Sequence, residues 1–278
     1  LLRDRTVRLL WSAQTVSSFG DALTSLALLL TAQRLTGSTT AVAATAVAIA
    51  LPQMLVGLPA GALVDRWDRR RVMIAADLSR AVLVLGFLAV TTPDRMWLLY
   101  ALAFTQSAVG TFFTPARATL LAEVLPADRL LPANSLSDMS RVAAGVGGAG
   151  LAGALASTST SLGIVFVLDA ATFVASALLV AAIRARPPRS AGRETGPRDL
   201  VAGIRLVFGS RVLRGVAAVA GIAMFGLGAV NVLLVPFVVG DLGASEAWFG
   251  ALEAAQVAAM VIAGGLVAAY SSRVQPTR

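Results

Sequence analysis

The chain has 278 residues, 57% of them hydrophobic and only 14% charged, which is more apolar surface than a water-soluble domain of this size can bury. The absence of cysteine and histidine excludes disulfides, thiol chemistry and the usual zinc sites. The net charge of +8 is carried by 23 arginines with no lysine, and it forms no basic patch interleaved with aromatics, so the expected partner is the lipid bilayer and not nucleic acid.

In chain order, Arg3, Arg5 and Arg8 precede a first apolar run over residues 11–35. It is too long for a cleavable signal peptide, and no A-x-A site bounds it. The chain opens on Leu1 and not on Met, which reads as a trimmed start. Further spans are expected at residues 41–64, 72–90 and 96–113, followed by an amphipathic cytoplasmic connector at 115–131. Asn134 reads as the N-cap of a fifth span reaching Ala156, and residues 162–183 form a sixth. Residues 184–198 hold three prolines, two glycines and five arginines, which is linker composition. A short surface helix at 199–208 and spans at 212–239 and 248–269 complete the pattern. The domains are therefore an N-terminal six-helix bundle over 1–183, a basic linker over 184–211, and two further helices within 212–278. The fold class is an all-α polytopic membrane protein with eight transmembrane helices. With the N-terminus inside, 19 of the 23 arginines face the cytoplasm, which makes both termini cytoplasmic in a multi-pass protein of the cell membrane.

Between the second and third spans, Gly61-Ala62-Leu63-Val64-Asp65-Arg66-Trp67-Asp68-Arg69-Arg70-Arg71 places four arginines and two aspartates in seven residues. Its flanks can each cross a bilayer, so it must be a tight turn. Gly61 at the membrane edge is expected to let two helices approach closely, and Asp65 to pair with basic groups or cap a helix. This stretch resembles the signature turn of the major facilitator superfamily (G-x-L-x-D-R-x-x-R-R). The resemblance implies that Gly61, Asp65, Arg66, Arg69 and Arg70 form a cytoplasmic latch, with Asp65 engaging the eleventh helix of the second half and releasing it as the halves rock.

An internal repeat points the same way. Phe19-Gly20 is followed by Gly37-Ser38, and Phe225-Gly226 by Gly243-Ala244, at a common offset of 206 residues. Gly61-Ala62-Leu63-Val64 matches Gly264-Gly265-Leu266-Val267 at an offset of 203. Six-span repeats joined by a basic loop are how that superfamily is built, so the chain reads as a fragment of a twelve-span transporter of roughly 400 residues. The remaining C-terminal helices are then implied partners.

A carboxylate at the bilayer centre costs about 2.5–3.5 kcal/mol on insertion scales, so each calls for a reason. Asp21 lies in Ser18-Phe19-Gly20-Asp21-Ala22-Leu23, a run similar to the first span of drug- and siderophore-exporting members. If it faces a central cavity it can exchange a proton for substrate; otherwise it is a packing group bonded to Ser17 or Thr24. Asp77 and Arg80, three residues apart, can form an ion pair, and Arg80 can alternatively hold Asp21 or an anionic substrate group. Asp138 and Arg141 repeat that spacing, with Asp138 expected at a helix N-terminus. Gly145, Gly148 and Gly153 lie in a small-residue face suited to close helix contact. That face resembles the fifth-span motif of the exporter branch, with Ala149 where the motif carries proline. Asp169, in Phe166-Val167-Leu168-Asp169, and the corners Pro115-Ala116-Arg117 and Ala133-Asn134 also resemble exporters of the enterobactin and macrolide type. Glu253 is a further membrane acid, and both it and Asp169 are expected to pack structurally.

These features imply a secondary transporter that exports a small amphiphilic compound (a drug, macrolide or siderophore) in exchange for protons. The alternatives are an uptake symporter and a non-transporting membrane remnant. No metal or other cofactor is expected, and an enzyme is disfavoured because the serines have no visible base and no carboxylate cluster has metal spacing. No phosphate-cradling loop is present for ATP-driven pumping.

Overall fold

A computed structural model of the chain describes residues 3–64, 67–158, 162–183 and 208–245, together with the single residues 205, 248, 252, 255 and 259. Its helices are α1 (Arg5–Thr36), α2 (Thr39–Val64), α3 (Arg69–Gly86), α4 (Met96–Gly110), α5 (Phe113–Val124), α6 (Ala127–Thr158), α7 (Gly163–Ala181) and α8 (Arg211–Val235). Short 3-10 turns follow α3 and precede α4, and a π-helical turn, Pro236–Asp241, ends α8. Asp65 and Arg66, residues 184–198, most of the expected surface helix, Glu253 and nearly all of the expected eighth span lie outside the described residues.

Local chemistry sets several of these boundaries. Asp4 caps α1 by accepting from the Thr6 and Val7 amides, and Gly37 ends it with a left-handed φ of 59°. Asp68 caps α3 through the Arg71 amide. The long runs are apolar around most of their circumference, as lipid-facing helices require. Among the described residues, six helices are long and apolar enough to cross a membrane: Arg5–Thr36, Thr39–Gly57, Arg69–Ala89, Pro93–Val124, Gly163–Ala181 and Arg211–Asp241. The 32-residue α6 is not among them, because glycine and alanine dilute its hydropathy and its first half carries Asp128, Arg129, Asp138 and Arg141.

Two expectations change. The stretch 115–131 is not a surface connector, since α5 continues the line of α4 after a bend at Thr111-Phe112, and the pair forms one span. The fifth span does not begin at Asn134. Leu125 is extended ahead of Pro126, and α6 starts at Ala127 with Asp128 in its first turn, carrying Pro132 and Asn134 inside it. Asp138 is accordingly deep within α6 and gains nothing from its N-terminus.

The first seven helices form one bundle in which α1 packs on α6 and α7, α3 on α7, and α2 on α4. Two apolar clusters fill it. One joins the helix ends on the side of the bundle that holds the start of α1, called the inner ends, through Leu10, Met73, Phe113, Ala133 and Val180. The other joins the outer halves through Leu23, Val84, Leu99, Ala152 and Phe166. The gap between them is polar: Ser17 and Asp21 on α1, Asp77 and Arg80 on α3, and Ser176 on α7 fall there. Beyond this bundle, α8 touches α1 and α2, and Val235 at its end joins the outer cluster.

Candidate functional site

The polar layer borders a cavity of about 750 Å³ walled by α1 to α6. Asp21 occupies the middle of α1, about 24 Å from either end at a helical rise of 1.5 Å per residue. Its side chain remains 43% open to the cavity and forms an ion pair with Arg80 Nη2. Arg80 itself is almost enclosed, at 7% side-chain exposure.

Four elements hold that guanidinium. From α1, Ser17 Oγ accepts from Nη1 at 3.5 Å, and from its own helix Asp77 Oδ1 stands 3.9 Å from Nη1. From α7 the Phe173 ring lies beneath Cζ with its centroid 4.0 Å away. From α4, Gly110 leaves room: a Cβ there would meet Cζ at 3.4 Å. Gly110 is also the last residue of α4, so the negative end of that helix dipole lies beside the cation.

Two more carboxylates are completely buried next to this pair. Asp77 is 0% exposed, and neither carboxylate oxygen has a hydrogen-bond partner among the described residues. Asp169 of α7, also 0% exposed, presses on the backbone of Gly20, where a Cβ would collide with its carboxylate and with Thr172 Oγ1. Thr172 Oγ1 donates to Asp169 Oδ1 at 3.1 Å, while Oδ2 has no partner among the described residues. Asp169 therefore belongs to the charged layer. Three buried or half-buried acids face one cation, which is an arrangement able to hold protons.

The cavity's inner end carries a second group of charges. Arg117 on α5 is 8% exposed, and its Nη1 donates to Ser137 Oγ on α6 at 3.2 Å. Asp138 and Arg141 line the same end, with Arg141 Nη2 3.8 Å from Asp138 Oδ1 and both side chains more than half exposed. The sequence placed Arg117 only in a resembling corner; its position in the cavity wall follows from α5 being part of a span.

The small-residue face of α6 divides by contact. A Cβ on Gly148 would run into the Phe19 carbonyl and lie 2.9 Å from Ala22 Cβ, so this glycine sets the approach of α1. Gly147 meets the Phe19 ring at 3.3 Å, and Gly153 is buried. Gly145 differs from expectation: nothing lies within 4 Å of its Cβ position, and it lines the cavity. At the inner ends Trp11 Nε1 donates to Ser140 Oγ at 2.8 Å, tying α1 to α6 a second time.

At the end of α2 before the turn to α3, Gly61 also has open space around its Cβ position among the described residues. The close helix contacts come from the arginines instead. Arg70 Nε donates to Val180 O at 3.2 Å and its Nη2 to Ala181 O, capping the carboxyl end of α7. Arg69 Nε stands 3.7 Å from Glu123 Oε1 on α5, and Trp67 stacks on Phe112 with centroids 6.4 Å apart.

The family model described as Major Facilitator Superfamily matches residues 10–278. Over 172 residues the chain is 33% identical to the uncharacterized MFS-type transporter YfiS of Bacillus subtilis (strain 168), covering 62% of this chain and 40% of that protein. Over 123 residues it is 30% identical to macrolide efflux protein A of Streptococcus pyogenes, covering 44% of this chain and 30% of that one. Among solved structures, a bacterial homolog of the human lysosomal transporter Spinster, in an inward-facing and unoccupied conformation, superposes with a TM-score of 0.73 at 15% identity, over 99% of this chain and 65% of that one. The chain thus spans less than half the length of these curated relatives.

Proposed function

The chain belongs to the Major Facilitator Superfamily, and on that premise we propose that it works in secondary active efflux, moving a small amphiphilic compound such as a drug, macrolide or siderophore outward by alternating access while protons move inward. The fold and family are those of integral-membrane transporters and not of enzymes. The direction of transport is supported by the likeness to macrolide efflux protein A, and the setting is the cell membrane with both termini in the cytoplasm, as the arginine distribution favours.

The observation that carries the reading is the Asp21–Arg80 pair at mid-membrane, open to the cavity mainly on the Asp21 side. A proton reaching Asp21 neutralises it and loosens its hold on Arg80. Asp77, fully buried and already 3.9 Å from Arg80 Nη1, is placed to take over the guanidinium. Moving the cation from α1 to its own helix α3 weakens the tie between those helices, and substrate release can be coupled to that change. The turn between α2 and α3 acts as a cytoplasmic latch: Arg69 and Arg70 anchor it to α5 and α7, leaving Asp65 and Arg66 for the opposing half.

The test is Asp21→Asn in the gene that encodes this chain, expressed in a bacterium lacking its main drug pumps. Efflux of a macrolide or a fluorescent amphiphile driven by a proton gradient is expected to disappear while the protein still reaches the membrane. Undiminished proton-driven efflux would remove Asp21 from the coupling step.

A further inference from the structure

The cavity is polar at two levels. Asp21 and Arg80 meet at the level of Gly110, and Arg117 lies seven residues beyond Gly110 toward the inner side, roughly 10 Å along a helix. At that inner level Arg117 is buried to 8% exposure with Ser137 Oγ as its hydrogen-bonded neighbour, and the charges that face it are Asp138 and Arg141. Gln14 of α1 also lines the cavity, its Oε1 buried and without a partner among the described residues. Among the described residues, the charged side chains lining the cavity are Asp21, Arg80, Arg117, Asp138 and Arg141, three cations against two anions. At the inner level itself the lining charges are Arg117 and Arg141 against Asp138, two cations to one anion among the described residues.

A guanidinium removed from water is costly unless an anion and further hydrogen bonds meet it. Ser137 satisfies one of the five N–H groups of Arg117, and Asp138, the acid that lines the cavity at that level among the described residues, is already 3.8 Å from Arg141. We propose that Arg117 and Arg141 form an anion subsite at the inner end of the cavity, which binds a carboxylate or phosphate carried by the transported amphiphile. The planar fork of Arg117 suits two-point contact with either group, and Gln14 can turn its amide N–H toward the same anion. This rests on the efflux reading and narrows its cargo: the compound carries its negative group at the cytoplasmic end and its apolar body toward Asp21, against Leu28 and Ile49.

The experiment uses two naphthalene dyes of similar size, the anionic 8-anilinonaphthalene-1-sulfonate and the uncharged N-phenyl-1-naphthylamine, titrated onto the full chain in phosphatidylcholine nanodiscs. The sulfonate stands in for the cargo's anionic group. Arg117→Gln is expected to weaken binding of the anionic dye by about tenfold or more and to leave the neutral dye within about twofold, with Arg117→Lys between wild type and Arg117→Gln. Equal affinity of wild type and Arg117→Gln for the anionic dye overturns the proposal. A parallel loss of both dyes does so as well, because Arg117 would then only shape the wall. Repeating the titration with phosphatidylglycerol in the disc separates the sources of the anion: the anionic dye is expected to bind as before. Displacement by phosphatidylglycerol that vanishes in Arg117→Gln would give the site to a lipid headgroup and overturn the assignment to cargo. Dye discrimination that depends on Arg117 in a protein without measurable efflux would leave the subsite standing and dismiss the efflux reading.

Discussion

The Arg80 guanidinium sits 4.0 Å from the centroid of the Phe173 ring, so the cation of α3 is held by a π face from α7 and by the Asp21 carboxylate from α1. A desolvated cation–π contact contributes on the order of 2 kcal/mol. Arg80 is therefore a joint among three helices, and its removal is a structural event as well as an electrostatic one.

Arg80→Gln leaves Asp21 and Asp77 without the cation they pair with, beside the buried Asp169. The expected loss is about 3–5 kcal/mol, toward the lower end because Asp21 is 43% exposed. Adding Asp21→Asn removes one stranded charge, so the double variant is expected to be more stable than the sum of the single losses. A double-mutant cycle on thermal unfolding in detergent measures the difference, and strict additivity would mean that the two side chains do not interact.

Gly148 and Gly145 lie on one helix and are expected to respond oppositely. Alanine at 148 meets the Phe19 carbonyl and the Ala22 methyl, and overpacking of this kind costs about 1–3 kcal/mol. Alanine at 145 projects into open cavity and, as the better helix former, is expected to raise the melting temperature slightly. Equal shifts for the two would contradict the close approach of α1 and α6 at Phe19.

Arg70→Ala removes the donors from Val180 O and Ala181 O at the end of α7. A charged hydrogen bond contributes about 1.5–3 kcal/mol, and the partial exposure of this end places the loss near the lower figure. Arg69→Ala breaks a 3.7 Å contact with Glu123 and is expected to cost under about 1 kcal/mol. Faster hydrogen exchange confined to the last turn of α7 in Arg70→Ala is the local readout.

Asp65→Ala is expected to slow turnover more than it weakens substrate binding, because a latch acts on the exchange between conformations and not on the cavity. Binding titrations alongside efflux rates decide the matter. A fall in affinity with an unchanged maximal rate would place Asp65 in binding.

Much of this was readable from residues alone because lipid imposes one-dimensional rules. Long apolar runs and the distribution of arginine define spans and their order, and three-residue spacings bring Asp77 to Arg80 and Asp138 to Arg141. Partners far apart in the chain were not readable in the same way. Asp21 and Arg80 are 59 positions apart and meet only because α1 and α3 both pack on α7. Arg70 reaches carbonyls 110 and 111 positions away, and no local pattern announces a distant helix end that lacks donors. The start of α6 was legible in Pro126 and Asp128, and Asn134 was a false cap because helix propagation through Pro132 overrode it. Pro132 is the sixth residue of that helix, so the carbonyl it leaves without a donor lies in the first turn, where the loss is mild.

At 32 residues each, α1 and α6 are about 48 Å long, against a hydrocarbon slab of about 30 Å. With Asp21 at the midplane, the slab ends roughly ten residues to either side, near Trp11, whose indole is at home among lipid headgroups and is fastened there to Ser140. The stretch of α6 before Ser140 then stands clear of the oil like a mast, which sets Asp138 and Arg141 of the cavity wall near the level where glycerol and phosphate meet water. On the proposed efflux reading, an anionic group bound at that level would stay at the rim of the fatty interior and never sink into it.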